Sequence, residues 1–125
     1  MKAMLSLLLL SVAACATVPP APPGPVAGLG QVAQVAGVRI RPIALVEDSR
    51  CPVNVQCVWA GRLVILAQID FNGGGESFRG NMTLGEPVPL GAETVTLVAA
   101  VPPKLAGAAT DPRAYRFTFA VQPRA

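Results

Sequence analysis

No histidine occurs anywhere in these 125 residues. That absence removes the commonest general base and the commonest metal ligand together. Ser49 therefore has no base to activate it as a nucleophile, since Lys104 is distant in sequence. With few sulfurs and no imidazole, neither a metal nor any other cofactor is expected. Charge is sparse as well: Asp, Glu, Lys and Arg together make up 14% of the chain. The basic residues are scattered, mostly single arginines on predicted strands, without the concentrated basic face that nucleic acid requires. No stretch has convincing helical periodicity. No apolar run approaches the roughly 20 residues a helix needs to cross a bilayer.

What is present begins at the N-terminus. Met1 and Lys2 supply one positive charge, and from Ala3 to Ala14 the chain is apolar apart from Ser6 and Ser11. A charged start, a short apolar core and small residues at a cut site form a secretory signal. The ending Val12-Ala13-Ala14-Cys15 resembles the lipobox of bacterial lipoproteins. That resemblance implies cleavage before Cys15 and a diacylglycerol on its sulfur, so that residues 1–14 are a signal peptide. Two or more acyl chains give stable anchoring, at about 0.8 kcal/mol per buried methylene. Residue 16 is Ala rather than Asp, which in the family's sorting pattern resembles export to the outer membrane, facing the periplasm. The mature chain would keep about 111 residues, enough for one domain and one core.

Cys15 and residues 16–31 (ATVPPAPPGPVAGLGQ) precede the domain. The latter carry no charge and no bulky core former beyond Leu29, a composition that suits a tether. From Val32 onward a period of two appears, the mark of strands with one buried face. Tyr115, Phe117, Phe119 and Val121 alternate with Arg116, Thr118 and Ala120; Val95, Leu97, Ala99 and Val101 alternate with Thr94, Thr96 and Val98. Phe78, Gly80, Met82 and Leu84 form a third face. Leu63, Ile65, Ala67, Ile69 and Phe71 form a fourth, whose reverse carries Val64 and Leu66, so this strand is expected to be central. Asn72-Gly73-Gly74-Gly75 reads as the hairpin turn that follows it. Val38, Ile40, Ile43 and Leu45 mark one or two more strands, with a bulge or edge expected at Pro42. Pro87, Pro89 and Gly91 read as breaks. The expected domain spans residues 32–125 as an all-β sandwich or small barrel of six or seven mostly antiparallel strands.

Most of the unusual residues lie between Glu47 and Gly61. Cys51 and Cys57, with five residues between them in an exported protein, read as a disulfide. Closing so small a loop stabilises by about 2 to 2.5 kcal/mol on the chain-entropy view. The rival reading is a redox pair, and hence a thiol oxidoreductase, with Arg50 lowering a thiol pKa. Trp59 is expected to pack on the disulfide or cap the core; the alternative is an exposed indole that binds a ligand. Glu47 and Asp48 are adjacent on a strand and so point to opposite faces, which argues against paired acid chemistry. Asp48 suits pairing with Arg50 or Arg62. Asp48, Arg50, Trp59 and Arg62 form the candidate binding surface.

The string Asp48-Ser49-Arg50-Cys51-Pro52, the second cysteine, and Trp59-Ala60-Gly61 leading into a strand resemble a group of small uncharacterised bacterial envelope lipoproteins. The Tyr115–Phe119 ending also fits. The resemblance implies export, a disulfide and β architecture, and no activity. The expected protein is a lipid-anchored, non-enzymatic binding or structural module of the cell envelope. Its partners would be the membrane and another envelope protein or glycan; no residue pattern specifies an oligomeric state. The alternative is an inhibitor of a periplasmic or foreign hydrolase, a lysozyme or a protease.

Overall fold

The alternating faces become two stacked sheets. The computed structural model describes residues 24–35, 37–72, 75 and 77–124. Residues 1–23, with the expected signal peptide and Cys15, lie outside the described residues, as do Gly73 and Gly74 of the expected turn. Among the described residues there are eight strands: β1 (Val26–Ala27), β2 (Ala33–Val35), β3 (Val38–Asp48), β4 (Leu63–Phe71), β5 (Phe78–Thr83), β6 (Pro87–Leu90), β7 (Glu93–Val101) and β8 (Arg116–Pro123). One sheet has the order β1-β8-β7-β6 and the other β2-β3-β4-β5. Every pairing is antiparallel. This is a small β-sandwich.

The core fills the space between the sheets. Leu63, Ile65, Ala67 and Ile69 from β4 meet Val95, Leu97, Phe117 and Phe119 from the facing sheet, all fully buried. Each large apolar side chain contributes about 1.5 to 3 kcal/mol when removed from water. Val64, on the reverse of β4, is only 5% exposed, so this strand is covered on part of both sides as its sequence suggests. The rings of Tyr115 and Phe117 stack with centroids 5.7 Å apart.

Three details differ from the sequence reading. The sheet starts earlier than a tether reaching residue 31 allows: Val26 and Ala27 pair with Thr118 and Phe117, and Ala27 is 1% exposed. Small residues in a Pro/Gly-rich stretch hid a two-residue strand. In β7 the register shifts between Leu97 and Ala99, and Val98 is the extra residue. That bulge inverts the alternation, so Ala100 packs on the core while Val101 is exposed. At Pro42 the expected bulge is present, with shifts at Pro42/Ala44 and Leu45/Glu47, and β3 runs through it as one strand. Pro87 and Pro89 lie inside β6 rather than breaking the chain. β6 is an edge strand, where two prolines of the same parity can turn their missing donors to solvent. These short and proline-bearing strands raise the count from six or seven to eight.

The position of β1 is checked by paired substitutions. Ala27→Asp should cost about 3 to 5 kcal/mol, as an uncompensated buried charge does, whereas Val26→Asp on the outward side should cost about 1 kcal/mol or less. Urea unfolding of both variants measures this, and equal small effects would return residues 24–31 to the tether.

Candidate functional site

The end of β3 shapes the chain that follows it. The β3–β4 ladder runs to Asp48 opposite Leu63 and then continues beyond the sheet: the Ser49 N–H donates to Arg62 O (2.8 Å) and the Cys51 N–H to Ala60 O (3.0 Å). Gly61 makes the close approach possible. Its φ is +69°, and a Cβ there would stand 1.7 Å from Ser49 O. Cys51 and Cys57 are disulfide-bonded, with Cα atoms 5.8 Å apart. Residues 49–62 thus form a narrow, stapled loop standing beyond the sheets. A second loop braces it: the Val53 N–H donates to Lys104 O (3.0 Å), and the Ala106 N–H to the Asn54 side chain (2.9 Å).

Below this loop the two sheets are tied by one polar node. Arg50 grips Asp48 with two parallel bonds, Nε to Oδ1 at 2.8 Å and Nη2 to Oδ2 at 3.0 Å. The same guanidinium reaches the other sheet's chain, donating to Ala100 O and Pro102 O, each at 3.0 Å. The Tyr115 hydroxyl donates to Asp48 Oδ2 (2.7 Å), and Lys104 Nζ donates to the Asp48 carbonyl (2.7 Å). The side chains of Asp48 and Arg50 are 7% and 16% exposed. Arg50, helped by the Tyr115 hydroxyl and opposed by burial, holds the Asp48 carboxyl at about 2, below the usual 3.8. Burial, and then donation to Asp48, push the Tyr115 hydroxyl up. Both Asp48 oxygens are engaged and the group stays ionised at neutral pH, which makes it a fixed acceptor rather than a proton carrier.

The remaining candidates separate. Glu47 turns outward and pairs with Arg62 Nε on the exposed side. Asp48 and Arg50 therefore belong to the buried node, while Arg62 belongs to the surface. Lys104, far from Ser49 in sequence, is bonded to the carbonyl of the residue before it. The Ser49 hydroxyl, however, donates to Arg62 O and accepts from the Arg62 N–H. Tyr115 and Lys104 were not singled out as partners of Asp48. In the sequence Tyr115 stands out only as the first member of an alternating apolar face, and its hydroxyl as the one polar group on that face.

Trp59 corrects the expectation that it packs on the disulfide or core. It is 82% exposed, and neighbouring Val58 is 91% exposed. The reason is geometric: the zipped ribbon carries residues 53–60 past the ends of both sheets, and the core is closed by Tyr115 over the Asp48–Arg50 pair instead. Val53 and Val55 on the loop and Leu105 on the bracing loop are also substantially exposed. This end of the sandwich carries several exposed apolar side chains, Trp59 among them, with Arg62 at the base of the loop. Comparison with protein-family models, with curated proteins and with solved structures finds no match.

The node has a pH signature. A carboxylate whose folded pKa is depressed contributes stability that is complete above its unfolded value and lost as pH falls through the folded one. Stability attributable to Asp48, about 2 kcal/mol, should therefore disappear between pH 4 and pH 2. Comparing urea unfolding of the parent and Asp48→Asn across that window isolates it from other carboxylates: the parent should fall more steeply by that amount. Replacing Cys51 and Cys57 with serine should cost about 2 kcal/mol by the same measurement; any effect on a thiol–disulfide exchange assay would instead favour redox work.

Proposed function

We propose that this chain is a lipid-anchored module of the bacterial cell envelope that recognises another envelope protein through the apolar tip at Val58 and Trp59. The observation that carries the reading is the exposed indole on a loop held by a disulfide, by backbone bonds between its two arms and by a bracing loop. Contiguous exposed apolar surface marks interaction sites, and Val58 and Trp59 are adjacent and both almost uncovered. A tip immobilised before binding loses little conformational entropy on association, and Trp and Arg are the side chains that most often dominate interface energies. Anchoring rests on Cys15 and the apolar segment before it.

The course of β1 supports the orientation. β1 runs antiparallel to β8, with Val26 opposite Thr118 and Ala27 opposite Phe117, so the chain enters the domain travelling toward the Tyr115 end. Gly24 and Pro25 lie beside Phe119, on the side of β1 away from Trp59. A domain tethered through that side holds its tip away from the membrane. The protruding, stapled shape also suits the second reading, insertion into the cleft of a lysozyme or protease.

Acyl labelling should mark Cys15, and Cys15→Ala should abolish the label. A photoreactive residue at position 58 should crosslink one discrete envelope protein in intact cells. Trp59→Ala should weaken that association by roughly thirtyfold, the loss typical of a central tryptophan, without altering melting. Unchanged crosslinking by Trp59→Ala would overturn the recognition role. Inhibition of lysozymes or proteases by micromolar protein, lost in the same variant, would decide for the second reading.

A further inference from the structure

At the end away from Trp59, the outer face of the second sheet collects charge that looks dispersed in the sequence. β3 turns Arg39 and Arg41 outward, and β5 turns Arg79 outward. The ladder places Arg41 opposite Gln68, and Gln68 opposite Arg79. Two strand spacings put those arginine positions about 10 Å apart, and Arg39 follows about 7 Å along β3. All three are exposed. Two shallow hollows share Arg41: one is bordered by Arg79, Ile43 and Gly30, the other by Arg39, Asp70 and Val32. At this end of the face Asp70, opposite Arg39 in the ladder, is the acidic group among the described residues; Glu47, opposite Val64 at the other end, pairs with Arg62. Asp70 accepts from Gln68 Nε2 (3.0 Å) and the Ser77 hydroxyl (2.8 Å). Among the described residues none of the three arginines forms an ion pair.

We propose that this face docks on a bilayer of anionic phospholipids, with Arg39, Arg41 and Arg79 meeting the phosphate headgroups. The three charges sit within about one Debye length of each other, so they act on a charged surface together. The outward positions Gln34, Gln68, Ser77 and Asn81 are polar and none is aromatic, leaving no stacking platform for a sugar or a base. The length of the leading segment agrees. Eight residues separate Cys15 from Gly24, a reach of roughly 30 Å at full extension, and Gly24, in the other sheet, shares a hollow with Val35 and Gln122 toward the end where β3 begins. Arginine contact would convert loose tethering into a defined stance. The proposal uses the anchor reading for this proximity, and its test does not.

In the full chain carrying Cys15→Ser, sedimentation with vesicles of phosphatidylcholine plus phosphatidylglycerol should exceed that with phosphatidylcholine alone, and added salt should erase the difference. Each arginine contributes roughly fivefold to partitioning onto an anionic surface, so Arg39→Gln, Arg41→Gln and Arg79→Gln combined should lower it roughly a hundredfold. The matching triple lysine variant should retain it, and single glutamine variants give the graded loss if the triple one does not fold. Equal partitioning of parent and glutamine variants would overturn the proposal. So would displacement by millimolar inorganic phosphate, the mark of a discrete anion site, or a preference for a soluble acidic polymer over vesicles. Acyl labelling of the unsubstituted chain tests the anchor separately.

Discussion

One buried ion pair organises the end of this domain that carries its most exposed residues. Arg50 cannot satisfy its donors locally; it divides them between Asp48 and the carbonyls of Ala100 and Pro102. Those partners come from both sheets, so the pair fixes how β3 and β7 end relative to one another. A lysine could not replace it, because a single ammonium lacks the planar fork that serves a carboxylate and two carbonyls at once. Breaking such a pair costs more than the pair itself contributes, since the surviving charge stays buried. Tyr115 adds a donor to the same carboxylate and lays its ring on Phe117, linking the polar node to the apolar core.

That node explains why the stapled loop can stand clear of the sandwich without collapsing onto it. A loop ordinarily gains order by burying its apolar side chains. Here order comes from the Asp48–Arg50 base, the two ladder-like bonds to Arg62 and Ala60, and the bonds to Lys104 and Ala106. Val58 and Trp59 are therefore free of any packing duty. The disulfide shortens the loop, and the bracing residues come from a chain segment some fifty positions away.

The β architecture was legible because burial of one face leaves a period-two trace, clearest in Leu63–Phe71 and Tyr115–Val121. The disulfide was legible from the spacing of Cys51 and Cys57 together with the expectation of export. Three features were not. Alternation does not announce a bulge, so Val98 inverted the faces of Ala99 and Ala100 unseen. Two small residues, Val26 and Ala27, carry too little pattern to mark a strand. Trp59 was misplaced because residue type favours burial for an indole, while exposure depends on where the zipped ribbon projects. The arginines at 39, 41 and 79 show a related blindness: cross-strand register, not sequence distance, makes neighbours of them.

These facts give the sandwich a direction along its strands. Core side chains run its length, but the two ends differ in kind: one carries exposed apolar side chains on a constrained loop, the other an arginine-bearing sheet face. Antiparallel strands make such a division possible, because each hairpin returns the chain and leaves loops at both ends free to diverge. Apolar surface and positive charge serve different partners, since one gains by excluding water and the other by neutralising a charged surface. Placing them about 30 Å apart along β3 keeps either from interfering with the other, which is the arrangement a short-tethered domain needs if it is to face a membrane on one side and a protein on the other.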